Sequence, residues 1–162
     1  MKLKILSIVF IFALFACPMG SFAQYRLADY EGIWRWTSGS GDTLLLGLKQ
    51  IPVQGKLTGF HAFSQRGVVL DNSIPGTPNR TFDSATIYAH IIDPAAGQLQ
   101  YVIQDHLRNS IYIGKIDLLT NNRDKAIFYT TKTERSHLFY DPNIPLSAGR
   151  TFPDNLVLVR IE

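Results

Sequence analysis

The stretch Asp29-Tyr30-Glu31-Gly32-Ile33-Trp34-Arg35-Trp36-Thr37 decides how the rest of this chain is read. Successive side chains of a strand point to opposite faces, so Tyr30, Gly32, Trp34 and Trp36 share one face while Glu31, Ile33, Arg35 and Thr37 share the other. Both tryptophans of the protein are in this stretch. A tryptophan buries roughly 200 Å² and dominates the energetics of whatever it packs into. Gly32 leaves a gap on the same face, where a neighbouring strand or the ring itself can come close. A large plug beside a gap suits the closing end of a barrel. Trp34 as an ordinary core residue is the plainer account, and the two readings are compatible.

Upstream, residues 1–23 read as an export signal rather than as structure. Lys2 and Lys4 form a positive head, Ile5 to Ala16 is apolar except for Ser7, and Ser21-Phe22-Ala23 is a small-x-small pattern before Gln24. The apolar run is short of the roughly 20 residues that span a bilayer, so no transmembrane span is expected after processing. Leu14-Phe15-Ala16-Cys17 also resembles a lipobox, with Cys17 as a lipidation site. Phe15 is bulkier than that motif prefers, and cleavage after Ala23 competes with it. The expected destinations are periplasm, outer-membrane association or secretion.

Removal of the signal changes the charge argument. The whole chain carries 16 Lys+Arg and 13 Asp+Glu. The signal holds two lysines and no acid, so 14 basic residues remain against 13 acidic, a net of +1. That balance gives no case for nucleic acid or an anionic membrane as partner. Cys17 is the only cysteine, so cleavage at Ala23 excludes disulfides and thiol chemistry from the mature chain. Residues 24–162 are long enough for one domain with its own core.

From Gln24 onward the hydrophobic period is two. Strands are expected over 43–49, 56–70, 81–92, 98–104, 110–118, 125–133 and 155–161, besides the opening one. Within 56–70, Leu57, Gly59, His61 and Phe63 share a face, and Gly67 marks a bulge or bend. Glycine, proline and small polar residues separate the runs, with long irregular stretches at 71–79 and 140–155. No helix of any length is expected. About eight strands in an up-and-down meander hide their edges most simply by closing on themselves, so the fold class is an all-β antiparallel barrel.

Gly32-Ile33-Trp34, the meander and an arginine on the last strand together resemble lipocalin-type barrels, in which Gly-x-Trp stands at the closed end. Glu31 to Thr37, 44–50 and the ending Phe152-Pro-Asp-Asn-Leu-Val-Leu-Val-Arg160 further resemble a family of small exported bacterial proteins of unknown function. Ile33 stands where that family usually has threonine. The resemblance implies a barrel and a compartment but no activity. It also implies that Arg160 covers Trp34, with Gly32, Trp34 and Arg160 in structural roles.

Chemistry-bearing motifs are sparse. His61, His90, His106 and His137 lie on separate segments without metal-ligand spacing, so neither a metal nor another cofactor is expected. Asp105-His106 reads more simply as a turn than as an orienting pair. Ser40 lies between glycines in a turn, without strand-to-helix strain. The carboxylates could furnish a glycosidase pair, but spacing brings no two of them together. Phe60, Phe63, Tyr101, Tyr112 and Phe128 belong to the core by default, whereas Gly47, Gly59, Ala62, Ala89 and Gly114 argue for space inside. Two functions from different classes therefore stay open. One is a non-enzymatic barrel binding a small apolar or amphiphilic ligand through one end. The other is a filled barrel serving as an envelope structural or protein-interaction module.

Overall fold

The computed structural model of the chain describes residues 24–51, 54–73, 85–135 and 151–162. Cys17, the signal segment and His137 lie outside the described residues. Among the described residues, nine strands form one antiparallel sheet: β1 (Gly32–Thr37), β2 (Thr43–Ile51), β3 (Lys56–Gln65), β4 (Val68–Asn72), β5 (Ile87–Asp93), β6 (Gln98–Asp105), β7 (Ser110–Leu119), β8 (Asn122–Arg135) and β9 (Leu156–Arg160). β1 pairs with β2 on one side and β9 on the other, and β2 pairs with β3. Eight strands thus close in the circular order β1-β2-β3-β5-β6-β7-β8-β9. Closure removes the free edges a meander would otherwise expose. The all-β antiparallel barrel expected from the patterning is the fold observed, with β4 as an additional strand.

β4 corrects the expected single strand over 56–70. Arg66 and Gly67, with φ of 50° and 81°, turn the chain back on itself instead of bending it. Positive φ at both central residues is the geometry of a tight hairpin whose twist matches its strands. Asp71 and Asn72, expected in a loop, therefore belong to a strand. β3 pairs with β4 through Ala62 to Gln65 and with β5 through Leu57 to Gly59. β4 and β5 accordingly occupy one position beside β3, one after the other. Ser73 and Thr86 continue the ladder across the interruption, donating backbone N–H groups to His61 O at 2.8 Å and Gly59 O at 3.0 Å.

The opening strand also starts later than expected. Leu27–Tyr30 forms a 3-10 turn, and β1 begins at Gly32. Gly32 has φ of 122°, and a Cβ there would run into the carbonyl oxygen of Glu162. The residue is glycine because the chain end crosses it. Gly32, Trp34 and Trp36 share the inward face, with Trp34 buried and Trp36 packed against the core.

Among the described residues, inward side chains pack into one buried hydrophobic cluster. Tyr101 stacks on Phe128 with centroids 4.6 Å apart and planes 8° from parallel. The Tyr101 ring lies over Gly114, where an added Cβ would meet its hydroxyl. The space that the missing side chain leaves is thus taken by an aromatic ring. Gly47, Phe60 and Ala62 pair across β2 and β3 on the outward-pointing positions, so they do not enlarge the interior.

Candidate functional site

The two ends of the barrel are built from different chemistry. At the end where β1 starts, Trp34 is 1% exposed and donates its indole N–H to Tyr30 O at 2.8 Å. The Arg160 guanidinium lies over the Trp34 ring, 4.7 Å from its centroid, and donates to Asp29 O. Arg123 repeats the arrangement on a smaller scale, 4.8 Å over Tyr25 and 3.4 Å from the Asp29 carboxylate. The chain ends are tied across this floor, with Ile33 N donating to Glu162 O at 2.9 Å and Ile161 N to Ile33 O at 2.8 Å. Burial pushes the Tyr30 phenol pKa up, helped by Asp117. Gly32, Trp34 and Arg160 therefore meet in one place, in structural contacts.

The opposite end is polar inside. His61, fully buried on β3, stands where β4 gives way to β5. Its Nε2 lies 3.0 Å from Asp71 Oδ2 and its Nδ1 lies 2.9 Å from Thr86 Oγ1. The Asp71 carboxylate only accepts, so Nε2 carries a ring proton and donates it to Asp71. Ser73 completes the cluster, accepting from His61 N and donating to His61 O, both at 2.8 Å. Acid, imidazole and two hydroxyls thus stand in a line that resembles a nucleophile relay. Ser73 and Thr86 are each 4% exposed, however, and both are engaged with His61. A nucleophile needs a hydroxyl that substrate can reach. What the cluster does in this structure is bolt three strands together across an interrupted ladder.

A second buried cluster adjoins it. Asp105, 1% exposed at the end of β6, accepts from the hydroxyls of Tyr112 and Thr151 and from Leu107 N at 3.1 Å. Burial raises the Tyr112 pKa, and the bond to Asp105 raises it further. Phe152 sits between the clusters, edge-on to His61 at 5.2 Å, Tyr112 at 5.0 Å and Phe63 at 6.1 Å. His106, beside Asp105 in sequence, is exposed in the following turn, and His90 is exposed on β5.

Sequence reasoning missed Asp71, Ser73 and Thr86 as a group. The available signal was His61 itself, a polar residue on the inward parity of an apolar strand face. Such a group requires partners. Those partners come from a hairpin and a strand break that the patterning did not resolve.

Fold and ends together define a closed antiparallel β-barrel, dry at one end and internally hydrogen-bonded at the other. The chain belongs to the family of unknown function DUF6705, which it matches over residues 1–160. Neither the curated proteins nor the solved structures contain a match to it.

Proposed function

We propose that this protein is an exported, non-enzymatic barrel that serves as an interaction module of the cell envelope through its outside. The packed interior carries this reading. Tyr101, Tyr112 and Phe128, each 0% exposed, stand inside the barrel in the part a lipocalin gives to its ligand. The patterning of residues 1–23 supports export. The inward Gly32 and Trp34, with Arg160 above, support a lipocalin-like ancestry of the closed end.

Native mass spectrometry of protein purified from its host, combined with tryptophan fluorescence, tests the reading. The expected outcome is a retained envelope component, with Trp34 and Trp36 emission unchanged by a saturating apolar probe such as a naphthyl fatty acid. One small apolar molecule per chain that shifts this emission would place a ligand inside the barrel and overturn the proposal.

A further inference from the structure

Among the nine described strands, β4 is the one with a neighbour on one side only, since it pairs with β3 and ends the strand order. Its first three residues are open to solvent. Val68 is 62% exposed, Val69 63% and Leu70 39%. No other run of three consecutive large apolar residues is exposed among the described residues. The register shifts between Phe63 and Ser64, so Leu70 stands opposite no residue of β3. This bulge shortens the open edge to three residues but leaves all three apolar and outside the core. Asp71, next along the strand, turns inward to His61 at 3.0 Å.

An edge strand offers backbone N–H and C=O groups to any extended chain that reaches it, and exposed edges commonly carry lysine or proline against that. Val68, Val69 and Leu70 carry neither. The edge is also held in shape. Arg66 and Gly67 make the tight turn that starts β4, and Arg66 N donates at 3.1 Å to Asp42 Oδ1 in the turn between β1 and β2. On the outward face Val69 borders a depression of about 260 Å³ together with Leu45 and Ala62. An edge fixed in this way loses little conformational freedom when a further strand is laid against it.

We infer that β4 pairs antiparallel with β4 of a second copy of this chain, across a two-fold axis at Val69. The edge is its own complement, an extended, uncharged and apolar segment that is satisfied by another of the same kind. Centring the pair on Val69 sets Arg66 of one copy toward Asn72 of the other, so no like charges are brought together. The contact is isologous and therefore closed: each copy engages its β4 edge on the other, and no filament grows. Three residues of edge belong with the small interfaces, below about 1,200 Å² in total, that form reversibly. The inference rests on the reading that the barrel works through its outside, and it names a second copy as one partner of that outside.

Sedimentation velocity over a concentration series tests it. The Cys17→Ser chain, exported and purified from its host, removes an acyl anchor as a cause of association. The weight-average mass should rise from one chain toward two and stop there. Val69→Lys sets two like charges opposite each other and should hold the chain as a monomer, and Val69→Glu should do the same. An equimolar mixture of these two variants should recover the dimer, because unlike charges then meet across the strands. Val157→Lys, which adds one charge at a comparably exposed position on β9, should leave association unchanged. Amide exchange at Val68, Val69 and Leu70 should slow with concentration in the parent chain and not in Val69→Lys. Circular dichroism and thermal midpoints confirm that the variants fold. A monomer at every concentration, growth past two copies, no recovery in the mixture, or an equal loss from Val157→Lys overturns pairing through β4. If the chain is monomeric while native mass spectrometry retains another envelope component, the broader reading stands and only this partner is withdrawn.

Discussion

The two ends of this barrel solve the same problem with opposite means. Each must close a strand bundle against water. The end at β1 does so with one large ring, Trp34, capped by Arg160 and bonded to Tyr30. The other does so with hydrogen bonds among His61, Asp71, Ser73 and Thr86, and among Asp105, Tyr112 and Thr151. Apolar packing is non-directional and concentrates its stabilisation in the largest side chain. Buried hydrogen bonds add little net stability but are costly when one partner is lost. The first end should therefore fail by truncation of one residue, the second by orphaning of any member.

Trp34→Ala gives the sharpest test. Truncating a buried aromatic removes its transfer free energy and leaves a cavity, costing about 3–5 kcal/mol. Urea denaturation should show a midpoint loss of that size with little change in slope. A loss below about 1 kcal/mol would mean that the plug is dispensable and that the two ends do not differ as described.

At the polar end, His61→Leu should cost about 3 kcal/mol, because Asp71 and Thr86 are left buried without their partner. The double variant His61→Leu/Asp71→Leu should recover much of that loss, since replacing both members with apolar groups removes the orphan. Equal stability of single and double variants would show that Asp71 finds another partner. The same logic applied at Trp34 predicts no rescue by any second truncation.

This contrast also accounts for what the amino-acid sequence disclosed. The closed end was legible because Gly32, Trp34 and Trp36 follow strand alternation and a single large residue announces itself. The barrel was legible because apolar alternation persists through β2, β5, β6, β7 and β9. The polar end was not, because its members come from separate strands. Asp71 reaches His61 only through a two-residue turn at Arg66 and Gly67, and arginine at a positive φ is an unusual occupant that composition does not flag. Asp105-His106 reads as a turn because neighbouring residues of a strand face apart. Tyr112 and Thr151, the partners of Asp105, lie on β7 and just before β9. Side-chain polarity alone carries no information about such long-range pairings.

Alkaline pH probes both ends at once. Tyr30 and Tyr112 have phenol pKa values raised above the usual 10, in each case chiefly by burial, with Asp105 adding to the rise at Tyr112. A group whose folded pKa is raised contributes stability that is complete below its unfolded pKa and is lost as pH climbs toward the folded value. Stability should therefore hold to about pH 10 and fall above it. Tyr112→Phe should lessen that fall by roughly 1.4 kcal/mol per pH unit, the linkage of one proton. An unchanged slope, read from denaturation at a series of alkaline pH values, would mean that Tyr112 titrates in the folded protein.

The smallest expected effect isolates the cap on Trp34. Arg160 contributes a cation over the ring, a planar guanidinium that reaches Asp29 O, and an aliphatic stem packed against the floor. Arg160→Lys keeps the charge and most of the stem but loses the planar fork. Arg160→Met keeps the stem alone. A cation–π contact is worth about 0.5–2 kcal/mol, the upper end when desolvated. Arg160→Met should therefore cost about 1–2 kcal/mol and Arg160→Lys roughly half as much, measured by denaturation at low and high salt. Identical losses would assign the whole contribution to the bond with Asp29 O. The closed end would then also be held by a directional contact, and the contrast between the ends would narrow to Trp34 itself.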